Sequence, residues 1–486
     1  MTKANKGMSV FTMTMLTVAA VLSLRNLPTQ ADFGYSIIFY ITAAAICFFV
    51  PSALISAELA SGWPEDGGVY QWVKQAFGPK WGFVAIFMQW VENLPWFPMV
   101  LTFVAAALAY AFDMPGLSDN KYFVFGAIIV TLWLSTWLNF HGIKLSAFLS
   151  SSGALFGTVI PGILIILLAI WYFSAGNAPV IRFSPGKLVP ALDNFGQLVL
   201  LTNMMVALSG MEMSGVHVTE MRNPARQFPK AIFIATGLVI VLSILGALAI
   251  ALVIPEKNIG LAAGVCQAFD KMFTLFHLNW LTPVVSILLA YGALTMVVTW
   301  VLGPSKGMLE VAKEGYLPKY WQQRNRSGMP TRILILQGAL SSLLATAVLF
   351  MPTINGAFIL MAALTAQLYM IMYLLMFAAV IKLRYSQPDK PRPYRIPGGR
   401  TGIWIVGGIA LLTALAAILA CVSFLLFAAA KSLAADVRAK GAEASFLYIA
   451  FLLFGMAFFV TLPLLCYHFY LKKDERKEKA AAPPAR

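Results

Sequence analysis

Three side chains able to carry charge interrupt apolar runs that are otherwise long enough to cross a membrane: Arg25, Glu92 and Glu212. A charge in hydrocarbon costs about 2.5–3.5 kcal/mol even by the most lenient measurements, so such residues usually serve function. Arg25 could bind an acidic group of a ligand or form part of a charged gate. Equally, it could snorkel to the headgroups, because the run from Met8 to Leu24 already covers much of a bilayer. Glu212 reads either as a titrating gate or as a permanently paired carboxylate that satisfies an interrupted backbone. Glu92, three residues before Pro95, could carry a proton, pair with Arg25 or a ligand amine, or be a hydrogen-bonded packing residue. His217 reads as a structural histidine or a proton relay, and Glu58 and Glu65 as structural groups around the loop near residue 65.

Covalent chemistry finds no support. The four cysteines, Cys47, Cys266, Cys421 and Cys466, stand singly in or beside apolar segments, without metal-ligand spacing. There is no nucleophile elbow, phosphate loop or His/Cys/Asp cluster, so no catalytic residue, metal or cofactor is expected, and an enzyme is disfavoured. A channel would need a continuous polar pathway, and the intramembrane charges are too few and scattered for one.

The elements that must position these groups are membrane helices. Of the 486 residues 60% are hydrophobic and only 11% charged, against roughly 25% charged in a soluble protein. Runs of about 20 apolar residues predict twelve spans, at 8–33, 36–61, 80–112, 120–140, 146–174, 193–217, 228–254, 279–303, 331–350, 355–383, 402–428 and 445–471. These are numbered spans 1 to 12 below. The N-terminus, lacking a small-residue cleavage site, reads as the start of span 1 and not as a removed signal. The stretch 431–443 reads as a solvated loop. With the N-terminus inside, 26 of the 35 lysines and arginines fall on the cytoplasmic side, including the basic loops 303–332 and 382–400. Both termini are therefore expected to be cytoplasmic. The net charge of +15 follows from this placement, and no basic-plus-aromatic surface suggests nucleic acid.

Two spans carry break signals. Span 1 runs Val21-Leu22-Ser23-Leu24-Arg25-Asn26-Leu27-Pro28, and span 6 runs Leu208-Ser209-Gly210-Met211-Glu212-Met213-Ser214-Gly215. Glycine destabilises helix interiors. Breaks in the first and sixth spans fit five helices repeated in inverted topology, with cargo held at the broken pair. A broken helix exposes N–H groups at one new end and C=O groups at the other. The first favours a carboxylate and the second can accept from an ammonium, so the two poles of an amino acid would both be met.

Several loop motifs then resemble one family. Pro64-Glu65-Asp66-Gly67-Gly68-Val69-Tyr70 followed by Ala76-Phe77-Gly78 resembles the signature after the second helix of the amino acid–polyamine–organocation superfamily. The stretch from Gly210 through Val216-His217-Val218-Thr219-Glu220-Met221-Arg222-Asn223-Pro224 resembles the sixth-helix motif of its glutamate/γ-aminobutyrate antiporter branch. Trp300-Val301-Leu302-Gly303-Pro304-Ser305-Lys306-Gly307-Met308, Gly315-Tyr316-Leu317-Pro318 and Tyr394-Arg395-Ile396-Pro397-Gly398-Gly399 extend the likeness over nearly the whole chain.

The resemblance implies an all-α, five-plus-five inverted repeat with broken helices 1 and 6 and two further helices. The first repeat would occupy 1–174, the second 193–383, the extra pair 402–471 and a short cytoplasmic tail 472–486. Carried over position by position, the substrate site comprises Val21, Leu22, Ser23, Leu24, Arg25, Ser209, Gly210, Met211, Glu212, Met213, Met296, Trp300, Tyr369 and Tyr373. Arg25, Glu92 and Glu212 are the candidates for gating or proton coupling. The chain departs from the pattern in three ways. Span 1 lacks the glycine-rich break of the wider superfamily. Met296 stands where the antiporters carry an acidic residue, which removes a partner for a substrate ammonium. The tail is too short for the C-terminal plug of acid-resistance members, so no plug-type pH gate is expected. Span 8 offers Thr295 and Thr299 separately, without the adjacent hydroxyl pair of a sodium site, and no basic residue lies between Lys144 and Arg182 to replace sodium.

The expected function is exchange of an amino acid, glutamate-like or another, for a related amino acid or amine by alternating access in a bacterial inner membrane. A proton-coupled importer is the alternative, and a substrate-sensing receptor on the same fold a further one. Expected partners are the small-molecule cargo and the lipid bilayer.

Overall fold

The computed structural model describes residues 7–190, 201, 204–254, 260, 262–351, 354–435, 454–455 and 457–470. Among these there is no β-strand, only one isolated parallel bridge between Met8 and Met221. Among the described residues ten helical stretches are long and apolar enough to cross a membrane: Val10–Ala31, Gly34–Gly62, Pro79–Ala111, Lys121–Asn139, Ile143–Ser174, Arg226–Val253, Leu281–Lys313, Thr331–Phe350, Leu364–Ser386 and Gly399–Leu419. They correspond to spans 1–5 and 7–11. Spans 6 and 12 are described in part, by residues 204–220 and by the shorter apolar helix Ala457–Tyr470.

Two boundaries differ from the sequence reading. Span 8 continues to Lys313, ten residues past its expected end, because Pro304 is accommodated inside the helix. The last turns stay buried through Met308, Leu309, Val311 and Ala312, and that packing overrides the polar composition. Similarly, the helix of span 11 reaches Ala435, so Lys431 lies on a helix and not in a loop. Residues 436–443 lie outside the described residues.

Close approach of helices explains several small residues. Spans 5 and 8 meet glycine to glycine: a Cβ on Gly157 would lie 2.4 Å from the Cα of Gly292. Small residues at such crossings let backbones approach where lipid supplies no hydrophobic drive. Spans 2 and 5 each contain a five-residue π-helical segment, Ala45–Phe49 and Leu155–Val159, each followed within two residues by a proline. Proline has no N–H to give to the preceding turn, and a π-bulge accommodates the shift.

The face that bears the basic loops is tied by charge. Glu58 of span 2 receives Arg384 of span 10 through Nε at 2.6 Å and Nη2 at 2.5 Å, and the Ile396 N–H at 2.8 Å. Arg392 stands 3.6 Å away, stacked over the Trp63 ring at 5.0 Å. Beside this, the loop helix Val69–Phe77 is held to the end of span 8. There Tyr70 donates to Glu314 at 2.7 Å and Lys74 pairs with it at 2.5 Å. Burial and the neighbouring Glu314 push the Tyr70 phenol well above its ordinary range. Glu65, on the same loop, is exposed.

Candidate functional site

Span 1 breaks without a glycine. Its first helix ends at Val21, Leu22 and Ser23 take extended backbone angles, and a 3-10 turn over Leu24–Asn26 leads into a second helix, Leu27–Ala31, with Pro28 in its first turn. Proline suits a helix start because its missing N–H would be unpaired there anyway. It therefore marks where the second half begins. Span 6 breaks at Ser209 and Gly210, and continues as a 3-10 helix, Met211–Glu220, in place of the α-helix expected to 217. The two glycines there do different work. Gly210 takes φ +117°, open to glycine and costly for other residues, whereas Gly215 makes room for Trp72, whose ring would lie 2.5 Å from a Cβ.

The two breaks touch. A Cβ on Gly210 would lie 2.9 Å from the Ala20 carbonyl oxygen and 3.1 Å from Trp300 Cζ2. Both interrupted backbones are satisfied from other spans. Trp300 Nε1 of span 8 donates to the Ala20 oxygen at 3.0 Å, and the Gly210 N–H donates to the Tyr373 hydroxyl of span 10 at 2.8 Å. Tyr373 in turn donates to Glu212 Oε2 at 2.6 Å. Tyr369, one turn earlier on the same face, donates to Oε1, which also accepts from Gln89 Nε2 at 3.0 Å. Glu212 is thus a buried carboxylate surrounded by three donors. An aromatic wall closes around it, with Trp96 on Trp300 at 5.1 Å, Trp300 on Tyr369 at 5.7 Å and Phe48 on Tyr373 at 4.9 Å.

Of the residues expected at the site, Gly210, Glu212, Trp300, Tyr369 and Tyr373 are joined by these contacts, and Met213 accepts from Gln89 Nε2 at 3.4 Å. Val21, Leu22, Leu24, Ser209, Met211 and Met296 are buried and Ser23 is half-buried. Met296 lies one turn from Trp300 on span 8. Arg25, 7% exposed, is buried in the turn after the break. Glu92 and His217 are buried as well. Sequence reasoning missed Gln89, Trp96 and Phe48. Gln89 had a signal, a polar residue one turn from Glu92 in an apolar run, whereas the aromatics had none. It also missed a hydroxyl pair assembled between spans, in which Thr299 donates to Ser150 at 2.6 Å. Among the described residues no group of three or more His, Cys, Asp or Glu side chains is placed to hold a metal.

The same architecture occurs in the solved structure of MhsT in complex with L-phenylalanine. The match has a TM-score of 0.60 and covers 86% of this chain and 99% of that one, at 14% identity, a likeness of fold alone. Fold and paired breaks together define a multi-pass helical membrane protein of the five-plus-five inverted-repeat class. The amino acid permease family profile matches residues 8–464. An uncharacterized transporter of Legionella pneumophila is 39% identical over 98% of this chain and 99% of its own length. A glutamate/γ-aminobutyrate antiporter of Lactococcus lactis subsp. lactis is 33% identical over 85% of this chain and 83% of its own. The chain belongs to the amino acid permease family, within the glutamate/γ-aminobutyrate antiporter branch of the amino acid–polyamine–organocation superfamily, and is an amino-acid transporter.

Proposed function

We propose that this transporter is an antiporter that exchanges an amino acid for a related amino acid or amine by alternating access. The observation that carries the reading is the contact of the two helix breaks at Ala20 and Gly210. The breaks bring interrupted backbone of spans 1 and 6 together, held by the exchangeable side-chain partners Trp300 and Tyr373, and the nearby Arg25, Glu212 and Tyr369 add both signs of charge and an aromatic cover. A zwitterion can be bound there by backbone ends and dipoles without a permanent unpaired charge. Repeats 1–174 and 193–383 would rock about this point, with the pair 402–471 alongside and both termini on the cytoplasmic side of an inner membrane. The antiporter relatives in Lactococcus support exchange over simple uptake.

The test is counterflow in proteoliposomes preloaded with single unlabelled amino acids, following uptake of labelled glutamate and of the other amino acids in turn. Exchange predicts uptake only into loaded vesicles, and the best internal partner names the physiological pair. Uptake into empty vesicles driven by an acid-outside gradient would instead establish a proton-coupled importer. Binding without flux under either condition would mark a receptor.

A further inference from the structure

Span 3 presents Gln89, Glu92, Asn93 and Trp96 at positions i, i+3, i+4 and i+7, one face of a helix. Both ends of this stripe are anchored in the candidate site, Gln89 on Glu212 and Trp96 on Trp300. Span 10 runs beside it. The Thr365 hydroxyl donates to the Glu92 backbone oxygen at 3.3 Å, and Tyr369, one turn on, reaches Glu212. Glu92 therefore stands on the same stripe of span 3, between the residue that reaches Glu212 and the residue that meets Trp300.

Its surroundings differ from those of the chain's other buried carboxylates. Glu58, Glu92 and Glu212 are each 1% exposed. Glu58 has two arginines and a backbone N–H, and Glu212 has three side-chain donors. Glu92 accepts one hydrogen bond on its carboxylate, from Asn93 Nδ2 to Oε1 at 2.9 Å. Among the described residues no lysine, arginine or histidine lies within ion-pair distance of it. A carboxylate offers about four acceptor positions, and a buried one left largely unmet is costly unless a cation comes to it. A purely structural acid in this protein is built like Glu58. Span 8, which meets span 3 through the Trp96–Trp300 ring contact, carries the apolar Met296 one turn from Trp300, where an acidic side chain would have been a competing anion.

We infer that Glu92 is the ammonium-recognition residue of the site, receiving the primary ammonium of the cargo. This rests on the reading that cargo binds at the helix breaks, and it goes further by assigning the cation-binding group to span 3. The ligand class is a primary ammonium, either the α-ammonium of an amino acid or the ω-ammonium of its decarboxylated amine. The opposing view is a neutral, protonated acid that fills space, for which glutamine is an isosteric substitute.

The experiment measures half-saturation of counterflow in wild type, Glu92→Gln and Glu92→Asp. The probes are L-glutamate, L-glutamine and γ-aminobutyrate, with 2-hydroxyglutarate and 4-hydroxybutyrate as competitors in which hydroxyl replaces the amine. A charge-assisted hydrogen bond lost from the amine predicts that Glu92→Gln weakens amine-bearing compounds by about tenfold to a hundredfold. The hydroxyl analogues should be left unchanged or improved, and Glu92→Asp should retain part of the preference. A loss confined to glutamate assigns the α-ammonium, and one confined to γ-aminobutyrate the ω-ammonium. Equal effects on amines and hydroxyl analogues, or a silent Glu92→Gln, would overturn the assignment while leaving the transport reading intact. If Glu92→Gln fails to fold, the same comparison on Glu92→Asp decides, a selective loss supporting and a uniform one overturning. A wild type that takes up no amine-bearing compound would sink the transport reading, and this assignment with it.

Discussion

The Tyr373 hydroxyl stands between two groups with opposite needs, accepting from the Gly210 N–H and donating to Glu212. Replacing it by phenylalanine keeps the ring against Phe48 and Phe377 but leaves a buried N–H without its acceptor and removes one donor from the carboxylate. Tyr373→Phe should therefore cost about 1–3 kcal/mol, read as a lowered thermal unfolding midpoint in detergent, together with reduced exchange. Unchanged stability and exchange would show that the hydroxyl holds neither partner. Gly210→Ala should be harsher, since it adds a Cβ against the Ala20 oxygen at a backbone angle that disfavours side chains. The expected result is protein that still inserts but does not exchange; near-normal exchange would contradict a close meeting of the breaks. At this scale the sequence was partly readable. Two tyrosines four apart announce a shared face, and Glu212 inside an apolar run announces a need for partners. That the tyrosines are those partners was not readable, because 157 and 161 residues separate them from Glu212.

Among elements, the clamp of span 2 to span 10 through Glu58 and Arg384 carries the clearest energetic expectation. Removing one member of a buried ion pair strands the other, at about 3–5 kcal/mol, whereas exchanging both for apolar residues of similar size can be close to neutral. Arg384→Ala should then unfold at a much lower temperature than wild type, and Glu58→Leu with Arg384→Met should recover much of the loss. Additive damage in the double variant would mean that the two residues act independently. Hydropathy located ten of the spans to within a few residues, except that buried packing carried span 8 beyond its apolar run and the helix of span 11 also ran on past its expected end. The break in span 1 was legible from Arg25, Asn26 and Pro28, although no glycine marks it. The π-helical segments in spans 2 and 5 were not, because an apolar run reads alike whether its helix has α or π spacing. Nor were the helices Val69–Phe77 and Gly264–Leu275, which lie in loops too short to stand out beside their neighbours.

For the whole molecule, the distribution of lysine and arginine predicts which face meets the cytoplasm. In a background without the four native cysteines, a membrane-impermeant maleimide applied to intact cells should label Asp119→Cys and spare Ser327→Cys until the membrane is opened. The reverse pattern would invert the topology. The breaks, the tyrosine pair on Glu212 and the tryptophan on Ala20 then form one device at the centre of two inverted repeats, and the central claim is that cargo binds there. The measurement that tests it most directly is a cryo-EM structure in nanodiscs with the best counterflow substrate at saturation. Ligand density is expected against the interrupted backbones of residues 20–25 and 209–212, covered by Trp300 and Tyr369. Ligand density elsewhere, with that region unchanged from the substrate-free protein, would contradict it.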